Sequence, residues 1–255
     1  MNALKILRDT AAALTLGGLG VAFVPAAQAI SMADYAANAL VQVTLTDVRG
    51  GSLDTDVTVT YASNVDARSA SWAGTTSFAV ADPYNSSGQP PRAMGLSDSL
   101  TLDHITFGEA GAPTGNAFSE ILSSGYISMT NIGSDPVVLV FEISIDPLAT
   151  GAAVGLSGNP TFANAFANVK IEMFDYLGLN VFKDLNASLA SGVASATADL
   201  LTTYTVTLAP GDSNDISVLV STSGGATFVV PEPTTFALFA TGLIGFAAYR
   251  RRVAA

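Results

Sequence analysis

The chain has no cysteine and a single histidine among its 255 residues. Without cysteine there can be no disulfide, no thiol nucleophile, no zinc–thiolate site and no iron–sulfur cluster. One imidazole cannot build a histidine-rich metal site. Asp103 cannot form a Ser-His-Asp triad with its neighbour His104, because adjacent residues of a strand point to opposite faces. We therefore expect His104 to be a surface or half-buried strand residue, and we expect no enzymatic activity.

Charge is also scarce, since charged residues make up 12% of the chain and the formal net charge is −11. Between Ile30 and Val230 there are five basic and 19 acidic residues, a net charge of −14. Such a surface repels phosphate backbones, so we predict that the protein does not bind nucleic acid. Divalent cations and neutral glycans are compatible with this charge.

Two short stretches concentrate oxygen ligands that calcium could use. Asp54 and Asp56 form the first, and Asp212 and Asp215 form the second. Calcium takes six to eight oxygen ligands, and neither stretch matches an EF-hand loop or a nonapeptide repeat. Turns in which Asp accepts hydrogen bonds from nearby backbone are the favoured interpretation. Calcium is the one candidate cofactor, and we predict no other metal or cofactor.

The first 29 residues have the layout of a cleaved secretory signal peptide. Lys5 and Arg8 precede an apolar run over 10–24, and Ala27-Gln-Ala29 supplies the small side chains that signal peptidase requires. The exported chain would then begin at Ile30, with signal peptidase and the export machinery as partners. A permanent N-terminal membrane helix is the alternative.

The other end of the chain has the properties of a short membrane anchor. Residues 234–249 carry no charge and would span roughly 24 Å as a helix, against about 30 Å for the hydrocarbon core of a bilayer. Snorkelling by Arg250, Arg251 and Arg252 can compensate for the difference, and these arginines should stay on the cytoplasmic side. We predict a transmembrane helix over about 234–249, with a buried core helix as the alternative.

Pro231, Glu232 and Pro233, the apolar run and the three arginines together resemble the PEP-CTERM sorting signal of proteins exported by Gram-negative bacteria. In that family the triplet is recognised by exosortase, a membrane-embedded cysteine peptidase that cuts nearby. The resemblance implies export, transient anchoring in the inner membrane, processing by exosortase, and delivery to the cell surface or the medium. It covers about a tenth of the chain and implies nothing about the rest.

The body, residues 30–228, is predicted to be one exported all-β domain between the signal peptide (1–29) and the sorting tail (229–255). Apolar and polar residues alternate in many short segments, as expected for half-buried strands. An immunoglobulin-like or jelly-roll-like β-sandwich of about eight strands fits this pattern. Four finer predictions concern a hairpin of 125–131 with 137–145, a helix over 185–201, final strands over 203–208 and 215–221, and loops over 81–100, 108–116 and 146–164.

Three functions are compatible with these features. The favoured one is a non-catalytic component of the cell surface, the extracellular matrix or a biofilm. The second is a glycan-binding or adhesin-type module that meets extracellular polysaccharide through Trp72, Tyr84 or Tyr126. The third is an extracellular hydrolase, which would need a carboxylate pair. The body contains four glutamates: Glu109, Glu120, Glu142 and Glu172.

Overall fold

The computed structural model describes residues 32–84, 88–111, 114–154, 162–189 and 192–229. The predicted signal peptide, with Ala27, Ala29 and Ile30, lies outside these ranges. The sorting tail beyond Val229 also lies outside them, including Pro231, Glu232, Pro233 and the three arginines. No helix among the described residues is long and apolar enough to cross a membrane.

The described residues form twelve β-strands and no helix. The strands are β1 (Met32–Arg49), β2 (Val57–Ala73), β3 (Phe78–Asp82), β4 (Gln89–Ala93), β5 (Ser99–Gly111), β6 (Thr114–Asn131), β7 (Val137–Val154), β8 (Phe162–Phe174), β9 (Asn180–Leu189), β10 (Gly192–Thr197), β11 (Leu200–Leu208) and β12 (Ser213–Val229).

These strands form two six-stranded antiparallel sheets that pack face to face. Sheet A has the order β10-β7-β1-β5-β3, and β11 also pairs with β7; sheet B has the order β4-β2-β6-β12-β8-β9. Alternation puts every second side chain into the space between the sheets. In β12, for example, Ile216, Val218 and Val220 are buried while Ser217 and Leu219 face outward and are partly exposed. The prediction of a β-sandwich is confirmed, but the described residues form twelve strands where about eight were expected.

The predicted hairpin of 125–131 with 137–145 is wrong. Both segments are strands, but β6 pairs with β2 and β12 in sheet B, while β7 pairs with β1 in sheet A. The connection 132–136 therefore crosses between the sheets. It is held from the side, since the amides of Ile132 and Gly133 both donate to the carbonyl of Asp56. A Gly-Ser-Asp-Pro turn suits either connection, and alternation shows which face a residue takes but not which strand it pairs with.

The predicted helix over 185–201 is also wrong, because this stretch contains the end of β9, all of β10 and the start of β11. Leu185 and Ala187 are buried, while Asn186 and Ser188 are exposed, which is the period of a strand. Pairing with β8 gives the backbone its hydrogen bonds. The sheet context overrides the helix propensity of alanine.

The three predicted loops are shorter than expected because the strands extend into them. β7 continues to Val154 and β8 begins at Phe162, so only 155–161 separate them. β5 and β6 leave only 112–113 between them, and β4 lies within 81–100. Small residues obscured these strands. Gly151 of β7, for example, faces Ala165 of β8 across the two sheets, and a Cβ added at Gly151 would lie 3.5 Å from the Cβ of Ala165.

The long strands give the sandwich two ends, which we call the tail end and the distal end. The tail end is where β12 finishes at Val229 and where β1 starts at Met32. Residues 74–77 connect β2 with β3 there, and β5, β7 and β9 also end there. At the distal end the chain turns through residues 50–56, 94–98, 132–136, 175–179 and 209–212.

At the distal end, Asp175, which directly follows β8, forms hydrogen bonds with β11, with β12 and within its own turn. Its Oδ1 accepts hydrogen bonds from the amides of Leu177, Gly178 and Leu179 at 2.8–2.9 Å. Its Oδ2 accepts from the Tyr204 hydroxyl of β11 and, at 2.8 Å, from the Asn214 amide of β12. Burial by itself would raise the pKa of Asp175, but these hydrogen bonds lower it below its ordinary value.

Candidate functional sites

The last described strand, β12, lies in the middle of sheet B and ends one residue short of the predicted sorting triplet. Val229, the last residue of β12, pairs with Thr114 of β6 and with Phe162 of β8. Phe228 beside it is fully buried. Val230 alone separates this hydrogen-bonded strand from Pro231. Any peptidase that cuts near the triplet therefore works within a few residues of a fixed sheet.

A groove of about 310 Å³ lies beside this exit, between the ends of β2, β6 and β12. Glycines shape it: Gly115 lies so close to Ser77 that a Cβ would overlap the hydroxyl, and Gly74 has a φ of +110°. The lining residues are Ala73, Gly74, Thr114, Gly115, Asn116, Thr227, Phe228 and Val229. The groove lies where the tail leaves the body.

The three aromatic residues predicted as stacking platforms are exposed, but Trp72 and Tyr126 do not share one surface. The exposed fractions are 56% for Trp72, 45% for Tyr84 and 41% for Tyr126. Trp72 pairs with Ala117, nine residues from Tyr126 along β6, which is about 30 Å. A register shift between Val65 and Ala67 also turns Trp72 toward the core side of sheet B, whereas Tyr126 faces outward.

The structure brings together an aromatic pair that sequence reasoning missed. Phe118 of β6 and Phe166 of β8 lie on the outer face of sheet B with ring centroids 6.5 Å apart. Gly225 of β12 lies between them in the register, and a Cβ there would lie 2.6 Å from Cε1 of Phe166. The signal available in the sequence was a glycine inside an alternating strand, which often marks close approach of another group.

A second cleft, of about 350 Å³, opens between the β2–β4 edge and the start of β5. Its one charged lining residue, Arg92, lies 4.5 Å above the ring centroid of Tyr61, a cation–π arrangement. Ser63, Gln89, Ser99 and Thr101 supply polar groups around it. Sequence reasoning assigned no role to these residues, because they come from three separate strands.

The structure places the candidate calcium ligands at the distal end, largely in turns. Asp54 has a φ of 65°, and Oδ2 of Asp56 accepts from the Ser52 amide at 2.7 Å. Oδ2 of Asp212 accepts from the Ala209 amide at 3.2 Å, whereas Asp215 lies on the outer face of β12. Across the described ranges, no three His, Asp or Glu side chains group as metal ligands. Calcium binding stays a prediction.

His104 is fully buried, so the prediction of a surface or half-buried histidine is wrong. It lies on the core face of β5, and its Nε2 is 2.8 Å from the Ser123 hydroxyl of β6. Nδ1 has no hydrogen-bond partner. Burial lowers the pKa of His104 to about 4, so the imidazole is neutral at pH 7. Asp103 lies on the opposite face of the strand, as expected from alternation.

The glutamates are distributed over the outer faces of the sheets. Glu142 lies between Thr44 and Thr203 in the register, and Glu172 forms an ion pair with Lys170 at 2.6 Å. Glu109 is directly opposite Asp34 across β1 and β5. Burial raises the pKa of both of these carboxyls, and the neighbouring Asp34 raises that of Glu109 further. Neither groove described above is lined by a glutamate.

Residues 229–252 match the family model of the PEP-CTERM protein-sorting motif. No curated protein and no solved structure matches the chain. The match confirms the resemblance found in the tail, and it begins at the last residue of β12. The chain therefore carries the sorting signal of exported proteins, for which exosortase is the processing partner.

Proposed function

We propose that this protein is a non-catalytic component of the extracellular matrix or of a biofilm, delivered by exosortase cleavage near Pro231-Glu232-Pro233. The observation that supports this proposal is the sorting motif at 229–252, which continues directly from the central strand β12. Signal peptidase would release the chain at Ile30. The tail would anchor it in the inner membrane until exosortase cuts, after which the body reaches the cell surface or the medium.

We propose that the chain divides into signal peptide (1–29), body (30–228) and tail (229–255), and the bounds of the described strands support this division. β1 starts at Met32, two residues after the proposed signal cleavage. β12 ends at Val229, at the first residue of the matched motif. The described residues between them form two packed sheets, which supports a processed product that is one compact unit.

The test of this proposal is the fate of the chain when the tail is altered. Glu232→Gln, or deletion of residues 250–252, should leave unprocessed protein in the inner membrane of a host that makes exosortase. Glu120→Gln, on the outer face of sheet B, is a matched control that should be processed normally. Normal processing of the Glu232→Gln variant and of the deletion would refute the role of the tail.

A second candidate function, glycan binding, is favoured by Phe118 and Phe166. Two rings on an exposed sheet face, with a glycine between them, offer an apolar surface on which a sugar ring can stack. We propose this pair, in place of Trp72, Tyr84 or Tyr126, as the platform for a neutral polysaccharide. A glycan array should show signal that Phe118→Ala removes and Tyr126→Ala retains. Equal loss in both variants would count against the pair.

A further inference from the structure

The two ends of the sandwich differ sharply in charge. The sequence stretches between the strands that meet at the tail end, residues 74–77, 112–113, 155–161 and 190–191, contain no Asp, Glu, Lys or Arg. The five connections at the distal end contain no basic residue and six aspartates: Asp54, Asp56, Asp98, Asp135, Asp175 and Asp212. The connecting stretches are therefore uncharged at one end of the body and strongly acidic at the other.

The sorting tail leaves from the neutral end on a very short tether. Val229 is fixed by pairing on both sides, and the apolar run begins at Thr234. Five residues reach at most about 17 Å when fully extended. The headgroup layer beside the hydrocarbon core is roughly 5–7 Å thick. When residues 234–249 occupy the bilayer, the tail end of the sandwich must lie at or just above the headgroups.

The start of the body is at the same end. Met32 pairs with Gly111 of β5 and with Val154 of β7, both at the tail end of sheet A. The proposed signal-peptide cleavage site lies two residues before Met32. Before processing, both apolar segments of the chain would thus leave the body from one end.

We propose that the tail end of the sandwich rests on the headgroup surface of the bilayer until exosortase cuts, with the acidic distal end pointing away from the membrane. The inference rests on the proposed function, since it takes residues 234–249 as the membrane segment. The charge distribution favours contact of the tail end, and not of the distal end, with the bilayer surface, because anionic lipids attract basic groups and repel carboxylates. Each carboxylate brought to such a surface disfavours contact about fivefold.

Two carboxylates lie near the tail end, and both are partly buried. Asp34 and Glu109 are each two residues from the ends of their strands, at Met32 and Gly111. Burial raises the pKa of both, so each takes up a proton at a higher pH than an exposed carboxyl does. The distal end lies at the far end of β6, whose 18 residues span roughly 55 Å, well beyond a Debye length of about 8 Å.

The chain has no cysteine, so one label can be placed at each end. Thr75→Cys marks the tail end and Ser134→Cys marks the distal end, and both positions are exposed. The full chain, purified from membranes of a host without exosortase, would be reconstituted in phosphatidylethanolamine–phosphatidylglycerol vesicles that carry a headgroup-attached quencher. We expect quenching of the fluorophore at Thr75→Cys to be at least fivefold greater than at Ser134→Cys. Equal quenching at both positions, or stronger quenching at Ser134→Cys, would overturn the proposal.

A longer tether tests whether the short connection to the membrane segment sets the orientation of the sandwich. With ten Gly and Ser residues inserted after Val229, we expect quenching at Thr75→Cys to fall severalfold, and unchanged quenching would show that the short tether does not set the orientation. Flotation of the vesicles tests separately whether the tail is a membrane segment and whether the body is oriented as proposed. A chain that fails to float with the lipid refutes the membrane tail and this proposal together, whereas a chain that floats with equal quenching refutes the orientation alone.

Discussion

The buried histidine makes the stability of the sandwich depend on pH in a way that one substitution should reveal. The pKa of His104 is about 4 in the folded protein and about 6.5 in the unfolded chain. Between these two values the unfolded chain binds a proton that the folded protein does not. The folded state is therefore favoured above pH 6.5 and loses stability as the pH falls toward 4.

The magnitude follows from the difference of about 2.5 pH units. Each unit corresponds to about 1.36 kcal/mol, so the free energy of unfolding should fall by about 3 kcal/mol between pH 7 and pH 4 because of His104. His104→Gln keeps a polar group beside Ser123 but does not titrate. The free energy of unfolding of this variant should lack that contribution to the pH dependence, whatever its stability at pH 7.

Urea unfolding of the processed protein, followed by far-UV circular dichroism at several pH values, measures this difference. Carboxyl groups also titrate in this range, so the quantity to compare is the wild-type slope minus the variant slope. Ser123→Ala is the matched control: it should cost about 1 kcal/mol at every pH through the lost hydrogen bond while keeping the pH dependence of His104. Parallel wild-type and His104→Gln profiles would refute a buried neutral imidazole.

Two further predictions concern packing and the distal end. Gly224→Ala should lower the free energy of unfolding by about 2–3 kcal/mol, because the new Cβ would overlap the Tyr35 ring. Thermal melting measures this loss. Ser223→Ala, at an outward-facing position, is the control and should be near neutral. Asp175→Asn should cost about 2 kcal/mol at pH 7, since the side chain accepts five hydrogen bonds and ties β11 and β12 to the 175–179 turn. The pKa of Asp175 is lowered in the folded state, so this stabilisation should disappear as the pH falls through that pKa, and urea midpoints of wild type and Asp175→Asn should converge in acid.

The sequence was sufficient for the fold class because each strand carries its own alternation. Ile216, Val218 and Val220 identify one buried face without any knowledge of neighbouring strands. Pairing could not be predicted in the same way, since nearly every connection crosses between sheets and partners are distant along the chain. The 132–136 turn joins two adjacent segments that pair with other strands. An alternating pattern with a turn looks identical whether the chain folds back or crosses over.

The candidate sites also differ in whether they depend on contiguous residues or on several strands. The sorting motif is local, so Pro231-Glu232-Pro233 and the apolar run could be recognised from contiguous residues. The Phe118–Phe166 pair depends on a third strand contributing Gly225, and the burial of His104 depends on Ser123 of another sheet. The orientation of Trp72 depends on a register shift between Val65 and Ala67, and no sequence pattern predicts this shift. Such features become visible only when strands have been assembled.

The intact mass of the protein recovered from the cell surface or medium tests the central claim most directly. The proposed processing predicts a chain that begins at Ile30 and ends near Pro231–Pro233, without residues 234–255, while the membrane fraction of a host lacking exosortase retains the tail. Surface protein whose mass includes every residue through Ala255 would contradict exosortase processing of this chain.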